Sequence, residues 1–440
     1  MIRSHLSNAV YGVLDYGAYP VGMLIVAPIA LQRLGLAQYG VWMFANAALT
    51  TGSVIASGFG DANIRHVALQ RGRGDSPALL RTVRSTMGIH LALGIAMAAI
   101  AWMLVPIAAG RVVSADASLR AECLVSLRIA SLLVLVRALE SVCVSTQRAF
   151  ERYGAAIGYS VLARLLSLAS VLLPWAWHNV AGLMMATAAL MMASLGMQLF
   201  QLKHLLQARS LWPSFDRETT QALFGFGIFS WIQAVAGVIF GQVDRLITGV
   251  ALGAAAVASY AFCAQLAQPI YGIAASGLHF LFPYISARSG GDSIATLRRT
   301  IVVAFGANLV MVIAGATALL VVGNRLLTVW GGRAVAQSGT SLLPMLVAAT
   351  AAQGLSVSGS YVLLALGRVR VVTFLNLAGG IAMLLIAPWL LPRYGAAGMA
   401  VARLFAGPFA LLVYLPLGLM LVRASLENRR TSAAAICEEL

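Results

Sequence analysis

Eight ionisable side chains sit where the chain is otherwise apolar. Arg128, Arg137 and Glu140 share one apolar stretch, Arg164 lies in the next, Asp244 and Arg245 are adjacent in a later one, Arg403 is in the last and Asp15 in the first. The guanidinium group offers forked donors that match phosphate-type oxygens in pairs. A buried carboxylate can titrate or bind an ion and so couple movement to a gradient. The five cations outnumber the three acids, which favours an anionic ligand. Each group also has a structural reading. Arg137 and Glu140 are three residues apart, within pairing reach on a helix. Asp244 with Arg245 reads equally as a structural pair or a polar outer gate, and Arg403 can meet either Asp244 or Glu140. Arg128 lies nine residues from Arg137, about half a turn around a helix. A straight helix therefore cannot point both into one cavity. Cys123, Cys143, Cys263 and Cys437 show no paired spacing, so neither a disulfide nor a metal site is expected. His90 and His279 read as hydrogen-bonded packing residues.

The elements that must carry these charges are membrane helices. The chain has 440 residues, of which 60% are hydrophobic and 10% charged, against about 25% charged in soluble domains. Twelve apolar stretches are each long enough, at about 20 residues, to cross a bilayer. They fall near 9–32, 40–61, 85–108, 122–147, 157–177, 181–206, 221–250, 257–284, 300–322, 340–366, 371–391 and 396–422. The seventh contains Gly225, Gly227, Gly237, Gly241 and Gly249 and is expected to be tilted or broken. A central Arg facing lipid costs about 2.5–3.5 kcal/mol, so three on spans four and five would cost on the order of 8–10 kcal/mol by simple addition. These groups are expected to face a wet cavity or a partner instead.

Loop charge sets the orientation. Of the 30 cations, 19 fall in one set of alternate loops, 6 in the other and 5 within spans. Positive loops stay in the cytoplasm, so both termini are expected there, in the bacterial inner membrane. The net charge of +16 is mostly this bias, which favours anionic lipid head groups over nucleic acid. No loop is long: those near 109–121 and 323–339 are the longest on one side, those near 62–84, 207–220 and 285–299 on the other are similar, and none can hold a soluble domain.

The two halves repeat. A shift of 218 residues places Leu34-Gly35 on Leu252-Gly253, Trp42 on Tyr260, Arg152 on Arg370 and Leu173-Pro174 on Leu391-Pro392. Six spans map onto six in the same orientation. The expected fold is an all-α integral membrane protein of about twelve transmembrane helices, in two six-helix lobes related by a parallel pseudo-two-fold repeat. Residues 1–208 form the first lobe, 209–220 a cytoplasmic linker, 221–424 the second lobe and 425–440 a tail. Such repeats build transporters with the substrate site between the halves.

Several short motifs carry a resemblance. Pro28 precedes Arg33-Leu34-Gly35 and Tyr39-Gly40-Val41-Trp42. Gly58-Phe59-Gly60-Asp61 leads into a basic segment with Arg65, His66, Val67 and Ala68. Asp244-Arg245-Leu246-Ile247 precedes Leu252-Gly253 and Tyr260. Gln147-Arg148 with Arg152-Tyr153 is echoed by Leu366-Gly367-Arg368. In this order the chain resembles the polysaccharide (O-antigen-type) flippases of the multidrug/oligosaccharidyl-lipid/polysaccharide exporter superfamily. The resemblance implies lobes around a central cavity and movement of an undecaprenyl-diphosphate-linked oligosaccharide from the inner to the outer leaflet. It further implies alternating access driven by an ion gradient, H+ or Na+, without a cofactor. Contact with other polysaccharide-assembly proteins is an expectation of the same kind. On that substrate Arg164, Arg137 and Arg128 are the candidate diphosphate ligands. Asp244, Arg245, Asp15, Arg403 and Glu140 are the candidates for coupling or gating.

A multidrug/cation antiporter of the same superfamily is the alternative, but its cavity needs acids and aromatics. A membrane-embedded glycosyl polymerase needs paired carboxylates and a sizeable outer loop, and neither is present. A nucleotide-driven pump needs Gly-x-x-x-x-Gly-Lys, whereas the single lysine lies in Gln201-Leu202-Lys203-His204.

Overall fold

A backbone rich in apolar 20-residue runs has one economical solution in lipid, the helix, which satisfies its own amides and carbonyls. In the computed structural model every regular element among the described residues is helical. These are residues 2–278, 281, 284–285 and 294–420, with side chains from Ala18 onward except those of residues 153, 155, 226, 240 and 294–298. His279, Arg288 and the tail 425–440 lie outside them, as does the side chain of Asp15.

The first spans are α1 (Ile2–Leu34) and α2 (Leu36–Ala56), followed by the short α3 (Gly60–Arg73). The next four are α4 (Ser76–Val112), α5 (Ala117–Ala149), α6 (Tyr153–Ala169) and α7 (Val180–Leu205). Span seven comprises α8 (Arg217–Val238), a π-helical turn at Ile239–Val243 and α9 (Asp244–Leu252). Then come α10 (Ala254–Gly277), α11 (Ile294–Ala365), α12 (Val369–Tyr394) and α13 (Ala396–Leu411). Apart from α3, these make twelve spans, because α11 contains two. They are separated by a break at Gly332, whose φ of 73° and ψ of 176° are not helical.

The loops are shorter than the charge pattern implied. Most of the basic segment 62–84 is helical, divided between α3 and the start of α4. The charged side chains there suppressed the apolar periodicity without breaking the helix. The segment 323–339 is likewise helical except at Gly332, and the connection between α4 and α5 shrinks to residues 113–116. Helix starts follow ordinary capping chemistry. Asp75, Asp116, Asn179 and Asp216 each accept a backbone N–H from the first turn of α4, α5, α7 and α8. The Thr219 hydroxyl and amide hold the Asp216 carboxyl below the usual carboxylate range.

Six described helices are long and apolar enough to cross a membrane by length and composition alone, and α5 is not among them. It carries Arg120, Arg128, Arg137, Glu140 and Arg148. Its position explains how that is tolerated. By contacts the chain divides into two compact units, Met1–Phe262 with Val329–Val335, and Cys263–Thr328 with Ala336–Leu440. In the first unit α5 packs against α2, α3, α4, α6 and α7, so the most polar span is largely surrounded by protein.

The repeat is visible in backbone geometry. Gly35 (φ 81°, ψ 166°) joins α1 to α2, and Gly253 (φ 87°, ψ 176°) joins α9 to α10. This region of backbone space is essentially restricted to glycine. Trp42 and Tyr260, paired by the same shift, are 3% and 0% exposed. His90 on α4 bonds through Nδ1 to the carbonyl of Ala138 at 3.0 Å. Its equivalent Asn308 donates from Nδ2 to the carbonyls of Gly354 and Leu355 at 3.0 and 2.9 Å. Further along, the correspondence contracts by two residues. Arg152 N bonds Gln147 O behind Glu151 (φ 61°), and Arg368 N bonds Leu363 O behind Gly367 (φ 74°). Arg152 therefore corresponds to Arg368 and not to Arg370.

Two expected outcomes follow for stability. Nothing lies within 4 Å of a Cβ placed on Gly35, so Gly35→Ala adds strain alone. It is expected to cost about 1–3 kcal/mol, read as a lowered thermal midpoint of the purified protein. Asn308→Ala removes the buried donor that links two stretches of α11 and is expected to cost about 1–3 kcal/mol for its two hydrogen bonds, measured in the same way.

Candidate functional site

The site is built on α5. Glu140 is 2% exposed, and a carboxylate at that depth needs donors. It has four. Arg137 Nη1 forms an ion pair with Oε2. Ser160 on α6 donates to Oε1, as do Ser194 at 3.1 Å and Gln198 at 2.9 Å, both on α7. Gln198 also donates to the Ser160 hydroxyl at 2.9 Å. Arg164 Nε donates to the Ser160 carbonyl at 3.1 Å. One carboxylate thus ties α5, α6 and α7 together and pairs with Arg137.

The third cation comes from span seven. The π turn at Ile239–Val243 ends where Asp244 and Arg245 begin, and such turns recur at functional sites. Asp244 is 0% exposed. Its Oδ2 accepts from the Tyr260 hydroxyl at 2.8 Å, and its Oδ1 accepts from the Arg245 amide at 2.8 Å. Arg245 is 8% exposed. Its Nη1 reaches Gln242 Oε1 at a long 3.5 Å, and its Nε has no hydrogen-bond acceptor among the described residues. The charges of Arg245, Arg164 and Arg137 all act on the Tyr19 hydroxyl on α1. Guanidinium groups from α5, α6 and α9 therefore all lie within electrostatic range of Tyr19 in the first unit, and Glu140 is paired with one of them.

The other expected residues are placed elsewhere. Arg128 is exposed and lies over the ring of Trp102, 5.3 Å from its centroid. It is not among the charges that act on Tyr19. Arg403 is on α13 in the second unit. Tyr19, Ser160, Ser194 and Gln198 were not among the expected site residues. The signal available for the last three was a polar residue inside an apolar span, in four-residue spacings (Ser160 with Arg164, Ser194 with Gln198).

Toward the basic-loop end of α5 lies a cleft of about 200 Å³ between the α2–α3 junction, α5 and α8. The Gly58-Phe59-Gly60-Asp61 motif shapes it. A Cβ on Gly58 would lie 2.1 Å from Trp231 Cδ1, and that Trp231 Nε1 donates to the Ile55 carbonyl at 2.8 Å. Phe59 is buried and stacks at a tilt on Phe224.

Comparison with known proteins agrees with this architecture. Residues 7–288 match the family of polysaccharide biosynthesis proteins. No curated protein matches the chain by sequence. Among solved structures, the chain is similar to the inward-closed conformation of the lipid II flippase MurJ. Identity is 11%, over 96% of this chain and 90% of that one, with a TM-score of 0.74. It is also similar to an inward-facing multidrug resistance MATE transporter of the MOP superfamily, at 14% identity over 94% and 99% of the chains and a TM-score of 0.73. A third likeness is to a MOP superfamily transporter from Pyrococcus furiosus whose reversed pocket polarity suggested a different function. Identity there is 15%, over 93% and 97% of the chains, with a TM-score of 0.56. At such identities these likenesses establish the fold of twelve transmembrane helices in two lobes. The family match covers well over half of the sequence, and the chain belongs to the polysaccharide biosynthesis protein family.

Proposed function

We propose that this protein flips an undecaprenyl-diphosphate-linked oligosaccharide from the inner to the outer leaflet of a bacterial cytoplasmic membrane, with both termini in the cytoplasm. The observation that carries this reading is that Arg137, Arg164 and Arg245 all lie within electrostatic range of Tyr19, with Glu140 paired to Arg137. A diphosphate has the matching sign and geometry, since each phosphate accepts paired N–H donors. Arg245, placed by its sequence among the gating residues, joins the clamp because its guanidinium is buried with little protein partnership. Arg128 stays outside it. The surplus of cations argues against a cation antiporter, whose substrate would be repelled.

Coupling to H+ or Na+ belongs to the same proposal. Asp244 is the leading coupling group, because its carboxylate is fully buried in a span beside the π turn and next to Arg245. Asp15 is the second. Glu140 is assigned to bracing, given its four donors.

Deletion followed by lipid analysis tests the function. Lipid-linked oligosaccharide is expected to accumulate facing the cytoplasm and to clear on re-expression. Unchanged leaflet distribution in the deletion strain would overturn the reading.

A further inference from the structure

The diphosphate clamp leaves the cleft between α2, α3, α5 and α8 unused. The cleft at the α2–α3 junction is lined by Ser57, Ser141, Ser145, Ser230, Asp61 and Arg148 together with apolar side chains, and the Ser57 and Ser145 hydroxyls already donate to helix carbonyls. Its position relative to the clamp is set by one helix. Ser141 follows Arg137 by one turn of α5, about 6 Å along the axis, and Arg148 follows by three turns, about 16 Å, on the same face. A ligand held by its diphosphate at Arg137 therefore presents its next group to this cleft.

The lining is suited to a polyol. A carboxylate accepts from neighbouring hydroxyls, a guanidinium donates to them, and serine hydroxyls do both. The volume of about 200 Å³ is below the ~300–1,000 Å³ of sites for drug-sized ligands. It accommodates one ring and not an oligosaccharide. Gly60 faces this space, since a Cβ there would meet Ser141 Oγ at 3.6 Å and Ser145 Cβ at 3.8 Å.

We propose that this cleft is a subsite for the first sugar, the one joined directly to the diphosphate. The inference rests on the flippase reading above and deepens it: the clamp recognises the phosphates common to all such lipids, and the cleft inspects the sugar next to them. Specificity then resides in Asp61, Ser141 and Arg148 and not in the arginines of the clamp.

The test uses the purified full chain in lipid nanodiscs and two kinds of probe. One is a bare polyprenyl diphosphate, and the other is the same lipid bearing a single glucose, galactose, N-acetylglucosamine or N-acetylgalactosamine. In the parent protein at least one sugar is expected to tighten binding about tenfold over the bare lipid, the equivalent of one or two net hydrogen bonds. Asp61→Asn combined with Ser141→Ala is expected to abolish that gain while leaving the bare-lipid Kd unchanged. Ala234→Leu, which fills the cleft from α8, is expected to do the same without altering a polar group. Arg245→Ala weakens both probes. If no sugar in the set tightens binding, or the gain survives both cleft variants, the subsite is wrong and the diphosphate clamp stands. If the parent binds neither kind of probe, the flippase reading falls, and the subsite with it.

Discussion

Arg245→Ala is expected to lower transport of a diphosphate-linked lipid by about 10- to 100-fold in protein that is expressed and folded like the parent. A hydrogen bond to a charged group contributes about 1.5–3 kcal/mol, and about 1.4 kcal/mol is a factor of ten. Arg245 leads the ranking because the protein uses so little of it. It is buried at 8% exposure, with a 3.5 Å contact to Gln242 and an Nε that has no acceptor among the described residues. Those donors are available to a ligand. Arg164→Ala is expected to follow. Arg137→Ala should have the smallest effect, since Glu140 already neutralises part of its charge. Transport is to be measured as appearance of the lipid in the outer leaflet of reconstituted vesicles. Lysine at position 245 keeps the charge but loses the fork, so Arg245→Lys should recover only part of the activity. Full activity in Arg245→Ala and in the Arg137→Ala/Arg164→Ala double variant would eliminate the clamp.

Glu140→Ala is the second large effect, and it falls on stability. Truncation strands the Arg137 guanidinium and removes the shared acceptor of Ser160, Ser194 and Gln198. Breaking a buried pair from one side costs about 3–5 kcal/mol, so a steep fall in yield and thermal midpoint is expected. The double variant Arg137→Leu/Glu140→Leu should regain part of that loss, because no uncompensated charge remains inside. A Glu140→Ala protein as stable as its parent would show that the carboxylate braces nothing, and would return it to the coupling candidates.

The span architecture was legible because length and apolarity are what a bilayer demands, and no tertiary detail was needed to count to twelve. The joint at Gly35 and Gly253 was legible for a different reason: the backbone there tolerates only glycine, so the residue persists in both halves. What the sequence concealed was amphipathic or compensated structure. The arginines of the 62–84 segment made a helix look like a loop. Arg137 and Glu140 were readable as a pair from their spacing, but Ser194 and Gln198 meet Glu140 from more than 50 residues away. Nothing local announces that meeting. Arg128 and Arg137 are the same residue type on the same helix, and only the helical phase separated the one beside Trp102 from the one in the cluster. The contribution of Tyr19 had no signal, since a tyrosine in an apolar span is unremarkable in composition.

The π turn at Ile239–Val243 has a consequence for how this helix evolves and moves. It accommodates one residue more than the surrounding ladder requires, so it acts as a phase shifter between Ser230 below and Arg245 above. Each residue gained or lost there turns everything beyond it by about 100°. Deleting Gly241 would restore a regular ladder and carry the guanidinium of Arg245 around to another face, with every side chain still present. Sliding the wide turn one step along the helix would achieve a similar rotation without any covalent change. Insertions and deletions in these five positions are thus far less neutral than substitutions, and alignment gaps among homologues should avoid them.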